Sequence, residues 1–495
     1  MAVAPFPARV QGPVERLAFN QRSGVVMSRG VVEAAIARSP RPTFATSSFS
    51  EPRDWGYVGL LAFTAVLLLR PQDLLPFLRP LHLAEVCALL GLAPMLFHRI
   101  SRGAPVFRIT PETVGLIGFG LIMVATVPFS VWPGGALQEF TGSYLKALLV
   151  FILMVNTLTT PKRLEQLTWL ILVSVGYVAA RGVFDYARGV NLVEEGRLAG
   201  AVGGIFGNPN DLALNMVTFM PIAAIVAMSR WQPRGRRAVA AAIVALMMAT
   251  TVFSKSRGGA VGLVVMFGAL LLMGRKVRPR FAPIALAAVL VAMPFMPTSF
   301  WQRMASIVDD QADKQQFTGS REARRILLQE GIDTFLDYPL TGVGAGQFKN
   351  YNPAGRQERW RETHNALIQV AAETGVLGLL LFSFLIVRGA MAAMATRRML
   401  SPPRRRSGPD LLATVLTENE RRVLHAHSIG TTVALVGWFA CSMFASVAYG
   451  WTFYYLLALI VAARELTSDR LAAARALHAP ATRSGAARAA QPRRP

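Results

Sequence analysis

The chain of 495 residues is 53% hydrophobic and only 16% charged, well under the roughly 25% of charged residues in an average soluble domain. That composition excludes a water-soluble surface over most of the molecule. The formal net charge of +24 is carried in short segments between apolar stretches, without aromatic interleaving or a nucleic-acid-reading motif, so it reports membrane topology and no nucleic-acid partner is expected.

Residues 1–54 contain scattered Arg, Pro and Ser but no apolar core of signal-peptide type, and read as a disordered cytoplasmic tail. Apolar windows then predict about twelve spans, at 55–70, 81–97, 113–131, 143–158, 164–184, 211–228, 237–253, 259–273, 281–297, 365–394, 428–447 and 451–463. The expected fold class is therefore all-α and polytopic. It divides into helices 1–9 over 55–297, a long loop subdomain over 298–363, helices 10–12 over 364–464 and a disordered cytoplasmic tail over 465–495. Cys87 and Cys441 fall inside apolar stretches and imply neither a disulfide nor a metal.

Loop charges set the orientation. With a cytoplasmic N-terminus, one set of loops carries Arg99, Arg102 and Arg108, then Lys162 and Arg163, then Arg230, Arg234, Arg236 and Arg237, and later Arg397, Arg398, Arg404, Arg405 and Arg406. The opposite loops are poor in Lys and Arg, so both termini are expected in the cytoplasm. The long segment 298–363 balances nine basic against nine acidic residues, and its length marks a folded element on the outer side. Within it, Ser320 is placed to cap a helix with the apolar stripe Leu328, Ile332, Phe335 and Leu336, ended by Pro339. Arg321, Arg324 and Arg325 lie in its first turns, on the same side as Leu328 at 100° per residue.

Three groups carry chemistry. On a continuous helix His364 would head a stripe of Ile368, Ala371, Gly375 and Gly378 that lets another helix approach closely. Its imidazole is either a helix-start group satisfied by backbone or a proton acceptor suited to neutral pH. The second group is cationic: Arg197, Lys255, Arg257 and the Arg321, Arg324, Arg325 set sit at outer helix ends. Their alternatives are contact with lipid headgroups and binding of phosphate, for which guanidinium offers paired donors. The third is the glycine-rich run from Arg197 to Gly207-Asn208-Pro209-Asn210-Asp211, where Asn210 or Asp211 is expected to cap the following helix. No strand precedes this run and no Gly-Lys-Ser/Thr follows it, so it is not a nucleotide loop. His364 has no ligand partner at a recurring spacing, and neither a metal nor another cofactor is expected.

His364-Asn365, nine residues, then Gly375 and Gly378 fit a His-Asn-x9-Gly-x-x-Gly pattern without a gap. With Arg197 ahead of Gly207-Asn208-Pro209-Asn210, with Ser256-Arg257-Gly258, and with Asp337-Tyr338-Pro339-Leu340-Thr341-Gly342-Val343-Gly344, the chain resembles the O-antigen ligase and polymerase family over roughly residues 55–465. The resemblance implies a metal-independent glycosyltransferase of the bacterial inner membrane. It would work at the outer face, moving a glycan from an undecaprenyl-diphosphate carrier to a hydroxyl of lipid A core or of a growing glycan, in lipopolysaccharide or exopolysaccharide assembly. In that casting His364 takes the proton of the attacking hydroxyl, and Arg197, Arg257, Arg321 and Arg325 hold the diphosphate. Asn208, Asn210, Gly375 and Gly378 are then structural parts of the motifs. Ligation and repeat-unit polymerisation both remain open. A lipid-linked glycan exporter is the rival, and it would distribute charges through the spans near the midplane.

Overall fold

A computed structural model of the chain describes residues 18–19, 26–27, 54–103, 105–274, 296–305, 320–401 and 410–478. Residues 1–53 form a unit of their own, in which β1 (Ala18–Phe19) pairs antiparallel with β2 (Val26–Met27). The second unit, residues 54–495, is built of helices. Along it run α1 (Trp55–Leu69), α2 (Leu83–Ser101), α3 (Pro111–Ala125), α4 (Pro133–Thr157), α5 (Pro161–Ala187), α6 (Pro209–Met228), α7 (Arg234–Phe253) and α8 (Arg257–Gly274). They are followed by α9 (Thr298–Ala305), α10 (Ser320–Asp337), α11 (Ala366–Leu400), α12 (Glu418–Ser442) and α13 (Trp451–His478). Strand content there is a two-residue pair, β3 (Leu192–Val193) with β4 (Arg197–Leu198).

Among the described residues nine helices are long and apolar enough to cross a membrane, and the chain is an all-α, multi-pass membrane protein. The shorter apolar α1 adds one of the remaining expected spans. The expected span at 281–297 lies almost entirely outside the described residues. At the C-terminus the helix does not stop near 463: α13 continues through Arg464 to His478, because Glu112 and Arg108 supply partners for its charges.

Local chemistry starts these helices where it should. Thr110-Pro111, Thr160-Pro161 and Asn208-Pro209 each put a side-chain acceptor before a proline whose missing N–H would have had no partner. Thr110 accepts from Thr113 N, Thr160 from Arg163 N, and Asn208 from the N–H groups of Asn210 and Asp211. Thr417 and Glu420 close a reciprocal capping box on α12. Within α4 a π turn at Phe140–Tyr144 inserts one wide turn and sends Tyr144 into the core, where its hydroxyl donates to Leu116 O at 2.6 Å.

Burial sorts the helices into centre and rim. The apolar window of α6 is 83% buried while that of α2 is 11% buried, as expected of a core helix and a lipid-facing one. α6 packs on α7, α8 and α12. Thr452 at the start of α13 donates to Asn215 of α6 at 2.7 Å. From Phe453 to Ala463, α13 is buried on every side.

The connections sort into two ends. At one, Val131 N–H donates to Val343 O, Gly203 N–H to Asp73, Arg197 to Ser254 O and His364 N–H to Ser446, so the loops after α1, α3, α5, α7, α10 and α12 are stitched together. At the other lie the arginine-rich connections, with Arg163 on Asp54 at 2.6 Å and Arg236 on Glu165 at 3.2 Å. Near that second end Glu112 is fully buried and takes Arg464 at 2.8 Å and Arg388 at 2.9 Å, tying α3, α11 and α13. Removing one partner of such a group strands the others in a low-dielectric interior, at a cost of about 3–5 kcal/mol. Glu112→Gln should therefore lower the thermal midpoint of the solubilised protein markedly. An unchanged midpoint would show that the cluster is not a tie.

Candidate functional site

The site is assembled from four of the stitched loops. β4 presents Arg197, whose Nη2 donates to Asn210 Oδ1 at 2.8 Å and whose Nε donates to Ser254 O at 3.3 Å. Ser256 Oγ donates to the same Asn210 oxygen at 2.9 Å and accepts from Gly259 N–H at 3.2 Å, so one serine both caps α8 and fixes the asparagine. Arg257, the first residue of α8, is buried. Lys255, also buried, occupies the left-handed region at φ 47° between α7 and α8. Burial, opposed by Glu194 and assisted by Arg257, brings the Arg197 guanidinium down to about 10. Lys255 is lowered by burial and then by Arg197. Three cations are thus crowded together, and Arg197 is held there by neutral oxygens.

His364 stands beside them but not on a helix. Asn365 is the cap of α11, its Oδ1 accepting from Leu367 N at 3.0 Å and Ile368 N at 3.1 Å, and the helix begins at Ala366. His364 precedes the cap at φ 52°, with its N–H donating to Ser446 Oγ at 2.9 Å in the loop before α13. The expected stripe of His364 with Ile368, Ala371, Gly375 and Gly378 therefore does not exist. Burial, then Arg324, Arg361 and Arg197 in turn, lower the His364 imidazole to about 4. The ring is neutral across the ordinary pH range and makes no hydrogen bond among the described residues. A neutral imidazole in a cationic field is a proton acceptor whose basicity depends on what else enters the field.

α11 is broken nine residues in from its start at Ala366, about two and a half turns. Gly375 adopts φ 68° and ψ −168°, a region open essentially to glycine alone. Into the gap fits the segment Pro339–Phe348: Val376 N donates to Pro339 O, Val343 N to Ala372 O and Gly344 N to Glu373 O. The Glu373 carboxylate accepts from Gly346 N at 2.8 Å and Phe348 N at 3.2 Å. Gly342, Gly344 and Gly346 all have positive φ, which is how this segment turns tightly enough to follow the break. At Gly378 the absent Cβ leaves room for the Thr374 hydroxyl, which donates back to Val370 O at 2.8 Å.

Behind the histidine opens a cavity of about 310 Å³, walled by Glu139, Asp211, Glu362 and Glu373, by Arg70 and Lys349, and by Tyr449 and Trp451. Ser446, the acceptor of the His364 N–H, also lines it. Burial raises the Glu362 carboxyl, with Lys349 opposing and Glu139 adding to the rise. The site thus brings a cationic cluster and a cavity rich in carboxylates to the same end of the bundle.

Residues 242–383 match the family model described as O-antigen ligase. This stretch carries the O-antigen ligase family domain. No curated protein matches the chain significantly. The O-antigen ligase match runs from the middle of α7 to the middle of α11 and takes in Arg257, Arg321, Arg325, His364, Gly375 and Gly378, while Arg197, Asn208 and Asn210 lie ahead of it. The family engages in glycan transfer during polysaccharide assembly, and its substrates are lipid-linked glycans and polysaccharides.

Of the residues singled out in the sequence, Arg197, Asn210, Ser256, Arg257 and His364 meet. The helix-starting side chain of α6 is Asn208 and not Asn210 or Asp211, since Pro209 is already helical. α10 exists, but Leu328 and Leu336 are exposed, and the buried face is Ala323, Leu327, Gly331 and Thr334, turned toward α11. Accordingly Arg324 is the arginine that reaches the field of His364, Arg325 is exposed, and the Arg321 side chain lies outside the described residues. Sequence reasoning passed over Arg361, Glu362, Glu373 and Tyr449. Glu373 carried a signal all the same, as a lone carboxylate in an apolar span. Replacing Gly375 by Ala would force a Cβ to 2.5 Å from Leu340 O in a glycine-only conformation, at about 1–3 kcal/mol. Gly375→Ala should lower both thermal stability and transfer, whereas Gly142→Ala, with nothing within 4 Å of its Cβ, should change neither. Equal behaviour of the two variants would contradict the broken-helix geometry.

Proposed function

We propose that the protein transfers a glycan from an undecaprenyl-diphosphate-linked donor to an acceptor hydroxyl at the outer face of the bacterial inner membrane, without a metal. The observation that carries this reading is the half-buried neutral His364 lying in the field of Arg197, Arg324 and Arg361. A diphosphate held by Arg197 and Arg257, with Arg321 and Arg325 near its approach, brings its negative charge into that field. Its leaving oxygen then develops charge where guanidinium groups stabilise it. His364 takes the proton of the attacking hydroxyl, the new glycosidic bond forms as the bond to the diphosphate breaks, and attack from the opposite face inverts the anomeric centre. Basic loops at the far end of the bundle support an orientation with both termini in the cytoplasm and the site outside. Lys146, Arg181 and Arg388, cations inside the spans, are paired with Glu85, Asp185 and Glu112 at 2.6, 2.8 and 2.9 Å. That pairing argues for an enzyme over a charged transport path.

The sign of the pH response follows. Cations lower His364 in the free protein, and a bound dianion offsets them, so its pKa rises in the complex. In right-side-out vesicles given external donor and acceptor, kcat/KM should hold down to about pH 5 and fall toward the free value of about 4. The acid limb of kcat should lie at higher pH. His364→Ala should reduce transfer about 10²–10⁴-fold with the protein still inserted. Activity confined to inside-out vesicles would overturn the orientation, and a kcat limb at or below that of kcat/KM would overturn the role of the cations.

A further inference from the structure

The cavity behind His364 is of the wrong charge for a diphosphate. Four carboxylates line it against Arg70 and Lys349, and these cations are already engaged, Arg70 with Asp73 at 2.6 Å and Lys349 with Glu362 at 3.8 Å. It is also no closed acidic pocket. Tyr449, 3% exposed, presents its hydroxyl toward Glu373 without a partner at hydrogen-bond geometry. Burial, and then Glu373 beside it, push that hydroxyl well up, so it keeps its proton and is a donor shared between the Glu373 carboxylate and any oxygen that enters the cavity. Glu139 stands at the edge of the π turn against Gly346 with no hydrogen bond or ion pair among the described residues. Its oxygens are acceptors in wait of donors. Gln369, 7% exposed, is anchored through Oε1 by Ala448 N–H at 3.2 Å, which turns its amide toward the space. Trp451 supplies an aromatic wall. Unsatisfied donors and acceptors interleaved around an aromatic face suit a ligand that carries many hydroxyl groups and no charge.

We infer that this cavity is the acceptor subsite and that it takes the uncharged, hydroxyl-rich end of a saccharide in preference to a phosphorylated one. The inference rests on the glycan-transfer reading, and it adds where each substrate sits: diphosphate at the cationic cluster, acceptor sugar in the carboxylate-lined cavity. Glu362 and Ser446 both line the cavity, the first two residues before His364 and the second accepting the His364 N–H, so the cavity adjoins the residue that would take the acceptor's proton.

The test uses full-length protein in lipid nanodiscs. Saturation-transfer NMR with a methyl hexoside and with a hexose 6-phosphate probes the cavity, and a separate titration with inorganic pyrophosphate probes the cationic side. The methyl hexoside should receive saturation more strongly than the phosphate ester. Glu139→Gln and Tyr449→Phe, which keep side-chain shape, should each weaken its binding roughly fivefold and leave pyrophosphate binding unchanged. Stronger binding of the hexose phosphate to the unaltered protein would overturn the inference without reference to any variant, as would hexoside binding indifferent to both substitutions. Pyrophosphate binding alongside such indifference would leave the donor reading standing. Hexoside binding sensitive to the variants with no pyrophosphate binding would keep the saccharide subsite and remove the donor reading instead.

Discussion

Gathering positive charge at the edge of a low-dielectric bundle is costly, and the architecture around Arg197 is a response to that cost. Arg197 is clamped by a carbonyl and an amide oxygen, both neutral, and the asparagine that clamps it is itself held by Ser256. Arg197 itself is therefore held by dipoles, with no carboxylate in direct contact among the described residues. Everything else at this end depends on that choice. The cap of α6 positions Asn210, the turn before α8 positions Ser256 and Arg257, and the cap of α11 positions His364 within the same field. In the proposed function an anion entering the field stabilises the arginines and at the same moment makes the imidazole a better base, so that binding and activation would be one electrostatic event.

The opposite end shows the other solution to the same problem. There Glu112 pairs directly with Arg464 and Arg388, and Arg108 with Glu465 and Asp469. Charges that are neutralised in place hold helices together; charges supported by dipoles remain available to a ligand. The contrast separates a tie from a site better than burial does, since each set mixes buried and half-buried groups.

Much of this was legible in the sequence because it is governed by local rules. Apolar length marked the spans, Thr-Pro and Asn-Pro marked helix starts, and the separation of Arg197, Arg257 and His364 into loops of one parity predicted that they would share an end. What was not legible is tertiary. A helical wheel drawn from His364 assumed one continuous helix, and the break at Gly375 together with the left-handed His364 voids it. The buried face of α10 follows what it packs against, not its most apolar stripe, so Arg324 and not Arg325 faces the histidine. Arg361 and Glu362 belong to no helix, and only the fold of the 338–365 segment brings them to the site. Glu373 was visible as an intramembrane carboxylate, but its partners are backbone N–H groups of a distant loop that no spacing rule could supply.

The central claim is that the cations depress His364 and a bound diphosphate releases it. Histidine-selective NMR of the full-length protein, titrated with and without inorganic pyrophosphate, measures this directly. The account predicts a His364 pKa near 4 in the free protein that moves upward when pyrophosphate binds. A pKa that stays where it was, or moves down, would contradict it.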